Sequence, residues 1–149
     1  MVAAETQKAV PTIQTLYIVK ERQIAAPIDI VFETILQPHG RFAEMALKLE
    51  QWPGGRWYRD LGNNTGHLWG HVQVIKPPKL LEINGPMFMS YAAASHLQYR
   101  LAEEDGGTRL TLTHQAIGLI TPEHMEGVTK GWGELIEKIK SAAEEKRRR

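Results

Sequence analysis

The stretch Thr121-Pro122-Glu123-His124-Met125-Glu126-Gly127-Val128-Thr129-Lys130-Gly131-Trp132-Gly133-Glu134-Leu135-Ile136-Glu137-Lys138-Ile139 decides how the rest of the chain must fold. Thr121-Pro122-Glu123 signals a helix start, because proline at the first helical position gives up no hydrogen bond. Met125, Val128, Trp132, Leu135, Ile136 and Ile139 then recur at helical spacing and share one face. A helix of this kind, following a long run of strand-and-turn sequence, needs something concave to lie in. Gly127, Gly131 and Gly133 interrupt it, although each costs up to about 1 kcal/mol relative to Ala in a helix interior. Their expected use is room, which predicts a cavity between a curved sheet and this helix.

Working back toward the N-terminus, Thr15 to Ile24 is rich in β-formers and reads as a first strand. Ala26-Pro27-Ile28-Asp29 opens a short helix with proline expected at its first position, and Ile28, Val31, Phe32, Ile35 and Leu36 form its apolar stripe up to Pro38. A second helical turn is expected over His39 to Met45. The period then becomes alternating. Leu47 to Trp52 and Arg56 to Leu61 read as a hairpin about Pro53-Gly54-Gly55, and strands are expected over His67 to Ile75 and from Leu80 to Ile83. Gly85 to Ser90 reads as an irregular loop whose Met87, Phe88 and Met89 serve as an apolar lid or as plain packing. Ser95 to Ala102 and Thr108 to Ala116 form the last hairpin. Strands run together and helices are segregated, so the class is α+β with a seven-stranded antiparallel sheet wrapped around the long C-terminal helix, and one or two short helices after the first strand.

The 149 residues, 42% of them hydrophobic, suit one domain over residues 13–145, with a disordered leader at 1–12 and a basic tail at 146–149. The net charge is +1, and the basic excess gathers in Lys146-Arg147-Arg148-Arg149 instead of spreading over a face, which argues against nucleic acid. That tail reads as a solvated helix end favoured by the helix dipole. No cysteine is present, so disulfides and thiolate chemistry are excluded. No stretch has the length and apolarity of a signal peptide or a membrane span, and a soluble cytoplasmic protein without membrane insertion is expected, monomeric or a weak homodimer.

Among chemistry-bearing residues, His67 and His71 stand four apart, but on a strand that is roughly 13 Å, too far to share one metal ion. No metal site and no cofactor are expected. In the last strand, alternation points Leu110, Leu112 and His114 inward, facing Leu97, Tyr99 and Leu101 of its neighbour. An inward His114 is either a hydrogen-bonded core residue or a ligand contact, and its neutral form is favoured in either case. Trp57, Arg59 and Leu61 are expected on one face, so Arg59 either keeps its head in water at a cavity rim or receives an anionic ligand head. For the strand from His67, the even face with Leu68, Val72 and Val74 is taken as inward. No activated serine, phosphate-cradling glycine loop or paired carboxylates occur, and no catalytic residue is assigned.

Ala25-Ala26-Pro27 before the first helix, Pro53-Gly54-Gly55-Arg56, Gly70-His71-Val72 leading to Pro77-Pro78, Gly107-Thr108-Arg109-Leu110 and Gly131-Trp132 together resemble the helix-grip superfamily, also called START-like or SRPBCC. That group includes lipid-transfer domains, plant pathogenesis-related proteins and polyketide cyclases. The branch most similar is the activator of the ninety-kilodalton heat-shock protein ATPase, which carries a stress-response association. Members resembling that co-chaperone would be expected to hold a further N-terminal domain, for which this sequence leaves no room. The resemblance implies a hydrophobic cavity, and fold alone does not carry function. Three functions follow as expectations. The first is binding of a small hydrophobic or aromatic molecule, a lipid included, by Trp57, Arg59, Tyr99, Leu112, His114, Val128 and Trp132. The second is a cyclase-like or dehydratase-like enzyme using His114 and Tyr99. The third is a protein-interaction module whose partner is a chaperone.

Overall fold

The computed structural model describes residues 12–149, and the expected leader lies outside the described residues except for Thr12. The elements run β1 (Gln14–Ile24), α1 (Ile28–Ile35), α2 (Arg41–Glu44), β2 (Lys48–Leu49), β3 (Arg56–Gly62), β4 (Thr65–Lys76), β5 (Leu80–Gly85), β6 (Ala93–Glu104), β7 (Gly107–Gly118) and α3 (Pro122–Arg148). All seven strands form one antiparallel sheet in the order β1-β7-β6-β5-β4-β3-β2. Only β1 is displaced from chain order, and it closes on β7. The α+β, helix-grip architecture anticipated from the pattern is therefore present, with both short helices after β1.

Tight turns set the registers. Asn63 and Asn64 join β3 to β4 with φ of 53° and 59°, and Asp105-Gly106 joins β6 to β7 with φ of 49° and 78°. Two-residue connections with positive φ match the twist of hairpin strands, and Asn, Asp and Gly tolerate that conformation best. Alternation then orients β6 and β7 as expected. Leu97, Tyr99, Leu101, Leu110, Leu112 and His114 are all buried beneath α3.

Three boundaries differ from the sequence reading. Pro27 precedes α1 in an extended conformation (φ −61°, ψ 151°) instead of occupying its first turn. The strand expected over Leu47 to Trp52 contracts to Lys48–Leu49, because the Glu50 carboxylate accepts the Arg56 backbone N–H at 2.8 Å and its guanidinium at 2.8 and 2.9 Å. These Arg56 hydrogen bonds hold the Glu50 pKa down at about 2. The chain curls on itself there, and a Cβ at Gly55 would fall 2.0 Å from the Glu50 carbonyl oxygen. Finally, the basic residues Lys146, Arg147 and Arg148 continue α3 as its last turn.

The face assignment of β4 holds at Val72, is half met at Val74 and is corrected at Leu68. Leu68 is 47% exposed, whereas Trp69 and Val72 are buried. Trp57 pairs with Gly70 and Tyr58 with Leu68, so Trp69 is the extra residue of a β-bulge that swaps the faces on either side of it. A second register shift, between Asp60 and Gly62, leaves Leu61 as an extra residue on β3, and Leu61, expected on the face of Trp57, is 54% exposed. His67 and His71 lie outside, as expected.

Helix α3 packs against β1 and α1 through Leu135, Ile136, Ile139 and Ala143, all buried. Thr121 caps its start, accepting the His124 backbone N–H at 3.2 Å. Its far end is tied down by polar contacts: Arg22 with Glu137, Lys146 with Glu33 at 2.8 Å, and the Ala25 N–H with the Glu144 carboxylate at 2.8 Å. The Ala25 hydrogen bond, then Lys140, lowers the Glu144 pKa, whereas the exposed ion pairs each contribute at most about 1 kcal/mol. No helix of the described residues is long and apolar enough to cross a membrane.

Candidate functional site

The space between the sheet and the C-terminal half of α3 is packed. A void of about 30 Å³ remains there, bordered by Trp57, Leu81, Tyr99, Leu135 and Ile139, room for about one water. The expected hollow under the helix is thus not the large one. A groove of about 530 Å³ instead opens beside the N-terminal half of α3, within the size range of small-molecule sites.

Each wall of this groove comes from a different part of the chain. Gly127, Val128, Gly131, Trp132 and Leu135 supply the α3 side, and the facing wall is His39 to Phe42 with Met45, in and around α2. Trp69, turned inward by the β4 bulge, and Phe88, from the loop after β5, complete the lining. The glycines act here as anticipated. A Cβ at Gly127 or Gly131 would meet nothing within 4 Å, so their bare backbone keeps one face of the groove open. Gly133 differs, because its position faces the Lys20 side chain at 3.7 Å instead.

The aromatic rings form one edge-to-face network. Phe42 meets Trp57, Trp69 and Trp132 at centroid distances of 5.6, 5.5 and 5.9 Å, and Phe88 meets Trp69 at 5.6 Å. Such pairs contribute about 0.5–1.5 kcal/mol each beyond their burial, which makes a stiff apolar surface. Met87 and Met89 are buried in the core, so the loop after β5 is packed at those positions and offers only Phe88 to the groove. Its other anchor is Tyr91, whose hydroxyl bonds His124 Nδ1 in the first turn of α3.

His114 is fully buried behind Trp132. The Trp132 indole N–H donates to His114 Nδ1 at 2.8 Å, which makes Nδ1 an acceptor and puts the proton on Nε2, 3.0 Å from Ser95 Oγ. Burial, then the nearby His124, pushes the His114 pKa down to about 4, so the ring is neutral at physiological pH. Both nitrogens are engaged within the protein.

The structure does not gather the seven anticipated site residues in one place. Val128 and Trp132 line the groove, and Trp57 and Tyr99 border the small void. Leu112 and His114 are buried and reach neither, and Arg59, half-buried beyond the bulge, borders neither. Tyr99, whose phenol pKa is raised by burial, and His114 therefore do not converge on a common cavity point. Phe42, Met45, Trp69, Arg41 and Lys138 belong to the groove and were missed. The Phe42 and Met45 spacing, three apart after the break at Pro38 to Gly40, was the available hint. Among the described residues, no group of three or more His, Asp or Glu side chains is placed to hold a metal ion.

A seven-stranded antiparallel sheet gripping a C-terminal helix, with a groove at the helix's start, defines the helix-grip fold, which commonly binds ligands or proteins. The chain belongs to the family described as activator of Hsp90 ATPase homolog 1-like protein, whose model matches residues 25–144. Its fold is also that of several solved structures. One is an uncharacterized protein from Rhizobium leguminosarum, 20% identical, TM-score 0.68, covering 92% of this chain and 99% of that one. CalU16 from Micromonospora echinospora is 19% identical with TM-score 0.60, covering 89% and 86%. DynU16, a protein of the dynemicin biosynthetic locus, is 17% identical with TM-score 0.66; the match covers 88% of this chain and 48% of DynU16. At these identities the likeness shows the fold alone. Among curated proteins, no relative matches the chain.

Proposed function

We propose that the protein binds a small hydrophobic or aromatic molecule, a lipid included, in the groove beside the N-terminal half of α3. The observation that carries this reading is a hollow of about 530 Å³ with an aromatic lining, kept open on the helix side by two glycines that leave open space at their Cβ positions. Sites of this size, mostly apolar with a few polar groups at the rim, are where small ligands are held. The setting assumed is a cytoplasmic monomer or weak homodimer.

Native mass spectrometry of the protein purified under mild conditions tests it. A bound small-molecule mass that disappears in Gly131→Leu, which fills the groove from the helix side, is the expected result. Absence of any adduct, together with no uptake of a neutral aromatic dye, would overturn it.

The enzyme reading is weaker, because His114 has both ring nitrogens engaged by Trp132 and Ser95 and Tyr99 borders a different void. A protein-interaction reading, with a chaperone ATPase as partner, has the family membership as its support. A pull-down with the purified chain from native lysate tests that reading; recovery of no chaperone would end it.

A further inference from the structure

Granting the groove as the binding site, we propose that its ligand carries an anionic group, a carboxylate, sulfonate or phosphate, held at the rim by Lys138 together with Arg41 and Lys130. The apolar body then lies on Trp132 and Phe42.

The rim is charged asymmetrically. Arg41, Lys130 and Lys138 border the groove, while Glu134 supplies the single carboxylate among the described lining residues. Over the whole chain, acids and bases nearly balance at 17 to 18. Lys130, Glu134 and Lys138 follow one another at four-residue spacing on α3, yet no ion pair among the described residues involves any of them, or Arg41. Each rim histidine has one ring nitrogen engaged: His39 Nε2 donates to the Thr34 carbonyl at 2.8 Å, and His124 Nδ1 bonds the Tyr91 hydroxyl. The charged groups at the rim that stand outside any ion pair among the described residues are thus three cations, Arg41, Lys130 and Lys138, against one carboxylate, Glu134, a net positive balance.

Lys138 is also pre-placed. Its stem crosses from α3 to Gly40, where a Cβ would stand 3.1 Å from Cδ and 3.4 Å from Cε. Gly40, at φ +57°, lets the chain approach that closely, so the end of the Lys138 stem lies against the residue that precedes Arg41. An amphipathic acid meets complementary groups at both ends here: aromatic edges inside and cations outside. A neutral ligand would leave those cations to water.

Two dyes differing by one sulfonate test the idea: anilinonaphthalene sulfonate and neutral phenylnaphthylamine, followed by fluorescence titration of the full chain. Both should bind, the sulfonate about tenfold tighter at low salt, as one partly exposed charge-assisted contact provides. High salt should shrink that advantage. Lys138→Gln, which removes the charge and shortens the stem, should remove most of it and weaken the neutral dye far less; adding Arg41→Gln should remove the rest. Gly131→Leu should abolish both dyes. Equal affinities of the two dyes, or equal weakening of both by Lys138→Gln, would overturn the charge inference and leave the groove standing. Failure of both to bind, or persistence of both in Gly131→Leu, would remove the groove reading itself.

Discussion

One helix, α3, behaves as two different objects along its length. From Leu135 to Ala143 it presents Leu135, Ile136, Ile139 and Ala143 to β1, α1 and the sheet, all at 7% exposure or less. From Pro122 to Gly131 it has one buried side chain, Val128, two glycines with open space at Cβ, and a groove alongside. Trp132 stands at the boundary and serves both, its indole N–H locked to His114 and its ring bordering the groove. The contrast teaches where stability and function separate: the C-terminal half anchors the helix so that the N-terminal half can be left incompletely packed.

The sharpest way to break this division is truncation on each side. Ile139→Ala should cost about 2–5 kcal/mol in denaturant unfolding, since it opens a hole in packed surroundings already bordering the small void. Met125→Ala, half-buried near the groove, should cost less than half as much. Equal losses would show that the two halves carry stability alike.

A pH titration probes the boundary. The folded-state pKa of His114, about 4, lies below the 6.5 of an ordinary histidine, so the unfolded chain takes up the proton first as pH falls. The stabilisation is fully present above about pH 6.5 and is lost between 6.5 and 4, amounting to roughly 3 kcal/mol at the lower end. Unfolding midpoints at stepped pH measure it, and NMR of the imidazole should show no His114 titration until near pH 4. A ring that titrates near 6.5 in the folded protein would mean that the Trp132 lock is open. Below about pH 4.5 the Glu144 carboxylate, whose pKa is also depressed, adds a loss of the same sign.

Trp132→Phe acts on the same lock with a smaller expected effect. It keeps an aromatic ring but leaves His114 Nδ1 buried without its donor, at about 1–3 kcal/mol. Denaturant unfolding reads the cost, and a raised His114 pKa by NMR would identify the lost hydrogen bond as its source.

Much of this was legible in the residues. Helical spacing gave α3 and its buried face correctly, and alternation oriented β6 and β7, because long regular elements repeat their period often enough to be read. The bulge at Trp69 was not legible. One inserted residue puts the side chains before and after it out of phase, and nothing local at Leu68-Trp69-Gly70 marks it. The groove was half legible for a related reason. Val128, Trp132 and the glycines lie on the one periodic helix, whereas Phe42, Trp69 and Phe88 come from a four-residue helix, a bulge and a loop, whose positions are set by tertiary packing and not by local pattern.

The smallest expected effect isolates the function of the open half. Gly131→Ala adds a methyl group where no atom lies within 4 Å, in ordinary helical backbone, so it should stabilise the protein by up to about 1 kcal/mol. The same methyl projects into the groove and should weaken binding of a neutral aromatic dye. Opposite signs in thermal unfolding and dye titration would mean that glycine is kept at this position for the space it leaves, at a cost to the helix. If the variant were both more stable and an equal or better binder, the glycine would have no role in the groove, and the separation of the two halves of α3 would rest on packing alone.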